Sequence, residues 1–177
     1  MADPYAVIAF SSGSASNLKF SPSFAQKKVA PENNTLVWFT DLVKAQEQSK
    51  ATKKPIFGFF TGSDWCGWCH KLQNEVFSKT AFIKWAQQQV ILLELDFPRQ
   101  KQLPPELAQQ NASLQQAFQV QGYPTVWIFF MTKIDTTNNY AISPLGSLGY
   151  PRGAEQGKEE VAFLKEANTI LAKNPNK

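Results

Sequence analysis

The chain of 177 residues is long enough for one domain with a full hydrophobic core and short for two. Fourteen Phe, five Trp and four Tyr mark an aromatic-rich globular composition, and no apolar run approaches the roughly 18 to 20 residues that span a bilayer, so a soluble chain is expected. The net charge of +4 rests on scattered residues such as Lys27, Lys53, Lys84, Arg99, Lys101 and Arg152 rather than on a basic stripe, so no nucleic-acid partner is expected.

Residues 1–34 are rich in Ser, Asn, Ala and Pro, lack a steady helical or strand period, and read as a flexible tail ahead of a domain over 35–177. Leu36-Val37-Trp38-Phe39 predicts a first strand, and Asp41 is placed to cap a helix running towards Lys50. Lys53-Lys54-Pro55 ends that helix and feeds Ile56-Phe57-Gly58-Phe59-Phe60, an apolar run of the kind found in strands buried on both faces. A polar turn, Thr61-Gly62-Ser63-Asp64, leads into a helical pattern from Gly67 through Leu72, Val76 and Phe77, and a second helical stretch covers Ser78 to about Gln89.

Val90 to Asp96 predicts the next buried strand, Pro98 to Pro104 a loop, and Pro105 the first position of a helix carrying Leu107, Leu114, Ala117 and Phe118. Gln121-Gly122 closes it. Thr125 to Phe130 then predicts a strand, Asp135 to Asn139 a hairpin loop, Tyr140 to Leu148 a last strand, and about Gly157 to Lys173 a last helix. Alternating strands and helices with a closing hairpin predict an α/β fold, a mixed sheet sandwiched between helices in three layers.

Cys66 and Cys69, the only cysteines, lie three positions apart and cannot staple a fold of this size, so their value is chemical. Disulfide exchange needs one thiolate to attack and a second thiol within reach to resolve the mixed disulfide. At a strand-to-helix junction, Cys66 stands where unpaired backbone N–H groups and the helix dipole favour a thiolate, with Cys69 one turn behind. Trp65 and Trp68 flank the sulfurs and are placed to shape an apolar contact surface for substrate. Gly122-Tyr123-Pro124-Thr125 stands between a helix and a strand, where a cis-proline would leave the Tyr123 backbone free to pair with an extended substrate; a trans-proline opening a strand is the alternative.

The buried strand, Trp65-Cys66-Gly67-Trp68-Cys69 and Gly122-Tyr123-Pro124-Thr125 together resemble the thioredoxin superfamily over roughly residues 36 to 173. More narrowly, Thr61 to Cys69, followed by Glu75-Val76-Phe77-Ser78 and Leu93-Glu94-Leu95-Asp96-Phe97, is similar to the periplasmic thioredoxin-like disulfide reductases, which include DsbH-type proteins and the C-terminal domain of DsbD. The resemblance implies a thioredoxin fold, a nucleophilic Cys66, a resolving Cys69, a cis Pro124 and Trp65 packed beside the sulfurs. It also implies disulfide-containing protein or peptide substrates, a membrane or soluble thiol electron donor, and a periplasmic address reached through a signal absent from Met1-Ala2-Asp3-Pro4, with the cytoplasm as the alternative. A monomer is expected, and no cofactor or metal.

Two departures from thioredoxin itself matter. The Gly-Pro between its cysteines is here Gly67-Trp68, and its buried aspartate on the preceding strand is here Phe59 or Phe60. A proton carrier for Cys69 is then sought in Glu94 on the neighbouring strand, in Asp64 or Glu75, or in a water.

Rival readings remain. Cys66-Gly67-Trp68-Cys69-His70 also spells the attachment signature of a c-type haem, with His70 as proximal ligand and Met131 as its partner. Zinc on Cys66, Cys69 and His70 lacks a fourth side-chain ligand of the usual type. A non-catalytic binding module would not need the cysteine pair. An isomerase would use the same pair, and the direction of exchange stays open.

Overall fold

Ile56–Thr61 is buried at every position and forms the strand on which the sheet is assembled. The computed structural model describes residues 35–134 and 139–174, together with the backbone of 6–9. In chain order the strands are β1 (Ala6–Ala9), β2 (Trp38–Phe39), β3 (Ile56–Thr61), β4 (Ile91–Asp96), β5 (Thr125–Lys133) and β6 (Asn139–Leu148). The helices are α1 (Leu42–Thr52), α2 (Gly67–Leu72), α3 (Thr80–Gln89), α4 (Pro105–Ala117) and α5 (Glu159–Leu171).

The sheet order is β1-β6-β5-β3-β4-β2. β2 and β3 each run parallel to β4, whereas β5 is antiparallel to β3 and β6 is antiparallel to β5. Register between β5 and β6 shifts at Ile128/Phe129, where Gly146 and then Pro144 are the partners. The extra residue, Leu145, makes a bulge beside a proline that has no N–H to give to the ladder.

Strand alternation sorts the interior into two clusters, one on each face of the sheet. Phe57, Phe59, Val126 and Ile128 pack with Leu72, Val76, Phe82 and Phe163 from α2, α3, α5 and the turn after α2. Ile56, Phe60, Phe129 and Met131 pack with Leu42 and Ala45 of α1 and Leu114 of α4. The outcome is the three-layer α/β architecture.

Local chemistry sets the helix ends. Asp41 caps α1 by accepting from the backbone of Val43 and Lys44, and Lys53 ends it in the left-handed region at φ 57°. Pro105 opens α4, which buries two amides: Gln110 bridges Leu42 N and Thr40 O, while Asn111 holds the Asp96 carbonyl at 2.9 Å.

Three expectations change. Ala6–Ala9, within the stretch read as a tail, is an edge strand paired antiparallel with β6, while residues 10–34 lie outside the described residues. The first strand keeps only Trp38 and Phe39, because Leu36 and Val37 precede its pairing with Leu92 and Leu93. The helix after Gly67 does not run evenly: Gln73–Phe77 widens into a π turn closed by Ser78 N on Gln73 O at 2.9 Å. Residues 135–138 of the expected hairpin loop also lie outside the described residues.

Candidate active site

β3 delivers the chain to a turn in which the Gly62 carbonyl accepts from Trp65 N at 3.2 Å and Cys66 N at 2.9 Å. Gly62 is required by contact, since a Cβ there would fall 2.4 to 2.8 Å from the Trp65 indole. Asp96, at the end of β4, fastens the same turn: its carboxylate accepts from Ser63 N at 2.8 Å and Ser63 Oγ at 2.6 Å, and Lys101 Nζ sits 3.1 Å away.

Cys66 is the N-cap of α2, and its Sγ accepts from Cys69 N at 3.2 Å. The two cysteines are joined in a disulfide with Cα atoms 5.2 Å apart. Cys66 is 5% exposed and Cys69 is fully buried, so an incoming sulfur can approach only the first. Gly67 opens α2 with no atom within 4 Å of where a Cβ would stand.

Trp65 donates from Nε1 to Phe97 O at 2.8 Å and meets the Tyr123 ring edge-on at 5.7 Å. Tyr123 is fixed from behind by Gln115 Nε2 on its hydroxyl at 2.8 Å, and the Tyr123–Pro124 peptide is cis. Trp68 is 48% exposed and packs edge-on against Tyr150 at 5.0 Å. The aromatic side chains predicted around the cysteines are thus assembled at one end of the sheet, at the C-terminal edge of β3.

The three carboxylates considered for proton transfer have different environments. Asp64 accepts from the backbone N–H of Arg99, Gln100 and Lys101, with the nearest contact at 2.7 Å. Those donors, Arg99 first, hold its carboxyl below the usual range, so it stays ionised and serves as a strut for the 97–101 loop. Glu75 receives the Tyr150 hydroxyl and lies 4.0 Å from Lys71, which engages it in surface pairing.

Glu94 differs from both. It stands opposite Phe59 in register and alternates with Leu93 and Leu95, which belong to the other cluster, so it projects from the sheet on the cysteine side. Burial first, and the charge of Asp96 second, push its carboxyl up, with Lys101 opposing.

His70 and Met131 are not brought together. His70 Nε2 contacts Ser63 O at 2.8 Å, and a carbonyl only accepts, so that nitrogen carries its proton. Met131 packs in the cluster on the opposite face from the cysteines. The haem pairing of these two residues therefore has no basis in the fold.

Sequence reading missed Ser63, Asp96, Arg99 and Tyr150 as parts of the site. Asp96 carried a signal, a carboxylate closing an apolar strand beside the active-site turn; Arg99 and Tyr150 carried none, because they reach the site only through folding.

The family model described as "Thioredoxin-like domain" matches residues 42–132. The chain is 41% identical to "Disulfide bond reductase DsbH" of Chlamydia pneumoniae over 81 residues, covering 46% of this chain and 49% of that protein. It is 26% identical to "Thioredoxin-related protein DsbJ" of Chlamydia pneumoniae over 140 residues, covering 79% of this chain and 38% of that protein. The chain therefore spans about half or less of the curated relatives it matches. A solved "DsbH Oxidoreductase" superposes with a TM-score of 0.64 at 25% identity, covering 85% of this chain and 95% of that one. A thioredoxin from Thermus thermophilus, at TM-score 0.55 and 16% identity over 79% of this chain and 90% of that one, shares the fold. With its cysteine pair capping the helix after the central strand and more than half its length matched by the family model, the chain belongs to the thioredoxin-like domain family.

Proposed function

We propose that this protein is a thiol–disulfide oxidoreductase working as a disulfide reductase. The observation that carries the reading is the asymmetry of the pair: Cys66, at the cap of α2, keeps a 5% exposed edge, and Cys69 is sealed behind it. The similarity to a protein named as a disulfide bond reductase supports the direction.

The Cys66 thiolate attacks one sulfur of a substrate disulfide; that S–S bond breaks, a mixed disulfide forms, and the other substrate sulfur leaves as a thiolate that takes up a proton. Cys69 then loses its proton and attacks Cys66 Sγ, which frees the second substrate thiol and leaves Cys66–Cys69 oxidised. The substrate gains two electrons and two protons, and a dithiol donor, membrane-bound or soluble, must return them to the enzyme.

Glu94 is our choice for the group that accepts the Cys69 proton, since its raised affinity for protons suits a half-buried base and it lies on the cysteine side of the sheet. Trp65, Gly67, Trp68 and the backbone at Tyr123–Pro124 form the surface for an extended protein or peptide substrate. A monomer acting in the periplasm, with Ala6–Ala9 contributing the edge strand of its sheet, completes the reading.

Reduction of a peptide disulfide by the dithiol form tests it. Cys66→Ser should abolish turnover, and Cys69→Ser should accumulate a mixed disulfide visible by mass spectrometry. Turnover by Cys66→Ser at the wild-type rate would overturn the assignment. The equilibrium potential of the pair against glutathione decides between reductase and isomerase.

A further inference from the structure

Each of the two indoles that flank Cys66 carries an arginine. The Arg99 guanidinium lies 3.7 Å from the Trp65 ring centroid, and that of Arg152 lies 5.6 Å from the Trp68 centroid. They arrive from separate connections, Arg99 from the segment between β4 and α4 and Arg152 from that between β6 and α5. Both residues are exposed.

A guanidinium lying against an aromatic ring uses its flat face and leaves N–H donors along its edge for a carboxylate. Neighbouring acids do not occupy those donors. Asp64 is taken up by backbone N–H groups, Asp96 by Ser63 and Lys101, and Glu75 by Tyr150 and Lys71. Glu159 acts on Lys71, and among the described residues neither arginine has a carboxylate within 4.0 Å.

The backbone that carries each arginine is also anchored. Asp64 grips the Arg99 backbone N–H, Trp65 Nε1 grips Phe97 O two residues earlier, and Arg152 N is bonded to Tyr150 O at 2.8 Å. The backbone that carries each guanidinium is thus placed before a ligand arrives, which lowers the ordering that binding must impose.

We propose that Arg99 and Arg152 select substrate disulfides whose cysteine is flanked by acidic side chains, one carboxylate meeting each arginine as the substrate sulfur reaches Cys66. The proposal rests on the disulfide-exchange reading above and names the substrate class for that site.

Three otherwise identical peptide disulfides, with Glu, Gln or Lys on both sides of the cysteine, test it with the full chain in the dithiol form. At low salt kcat/KM should fall in the order Glu, Gln, Lys, with Glu about five- to tenfold above Gln, the size expected for two exposed ion pairs. High salt should bring the three together. In the double variant Arg99→Gln/Arg152→Gln the Glu-to-Gln ratio should drop below about two. Equal rates for the three peptides in the wild type, or a preference that survives the double substitution, overturns the proposal. Should the double variant fail to fold, the wild-type salt dependence decides alone: a Glu preference that salt leaves unchanged overturns it. Failure of the wild type to reduce the Gln peptide at all overturns the exchange reading and this proposal with it, a result distinct from loss of the ratio.

Discussion

Asp64 and Arg99, 35 positions apart, meet at the active-site turn, where the carboxylate of the first accepts the backbone N–H of the second at 3.0 and 3.1 Å. With Gln100 and Lys101 also donating, one side chain replaces the water that three successive amides would otherwise need. Because these bonds hold the carboxyl below its usual range, the unfolded chain binds a proton there more readily than the folded one. The stabilisation is complete above the ordinary carboxylate value of about 4 and is lost as pH falls through the lowered one. Asp64→Ala should thus melt below the wild type at neutral pH, with the gap closing in strong acid; a gap independent of pH would contradict the account.

Glu94 has the opposite sign. Its carboxyl is raised by burial, so the folded state tolerates the ionised form poorly and stability is lost as pH rises through the raised value. Glu94→Gln should raise the melting temperature at neutral to alkaline pH and leave it nearly unchanged at pH about 3, below the ordinary glutamate value. The same variant should slow release of substrate from the mixed disulfide by about 10²-fold while the first attack proceeds. Stopped-flow with a chromogenic disulfide separates the two steps, and equal slowing of both would assign Glu94 to the attack instead.

Gly62 offers a steric test. A methyl group there would overlap the Trp65 indole at 2.4 Å, so the ring must move and its bond to Phe97 O must lengthen or break. Gly62→Ala should cost about 1 to 3 kcal/mol and alter the near-ultraviolet circular dichroism of the tryptophans. An unchanged spectrum and melting temperature would show that the turn can relax around the methyl.

Much of the architecture was legible locally. Asp41 and Pro105 are placed by the rules of helix capping, and Ile56 to Phe60 announces a buried strand by composition alone. The Cys66–Cys69 spacing at a strand-to-helix junction likewise needed no tertiary information. What escaped has a common physical reason. Ala6–Ala9 becomes a strand because β6 offers it a free edge, not because four residues carry a period. The loop from Phe97 to Lys101 reads as a plain connection, yet Asp64 and Trp65 pin it against the site from more than 30 positions away. The π turn at Gln73–Phe77 depends on one extra residue being absorbed where Val76 and Phe77 enter the core. Periodicity reports the face of an element, not its partner.

The complete burial of Cys69 beneath a barely exposed Cys66 has an operational meaning. To a bulky alkylating reagent the folded dithiol form should present itself as a monothiol: one equivalent consumed quickly, the second only as the chain unfolds. The count of fast-reacting sulfurs then becomes a gauge of how tightly the helix beginning at Gly67 is seated on the sheet.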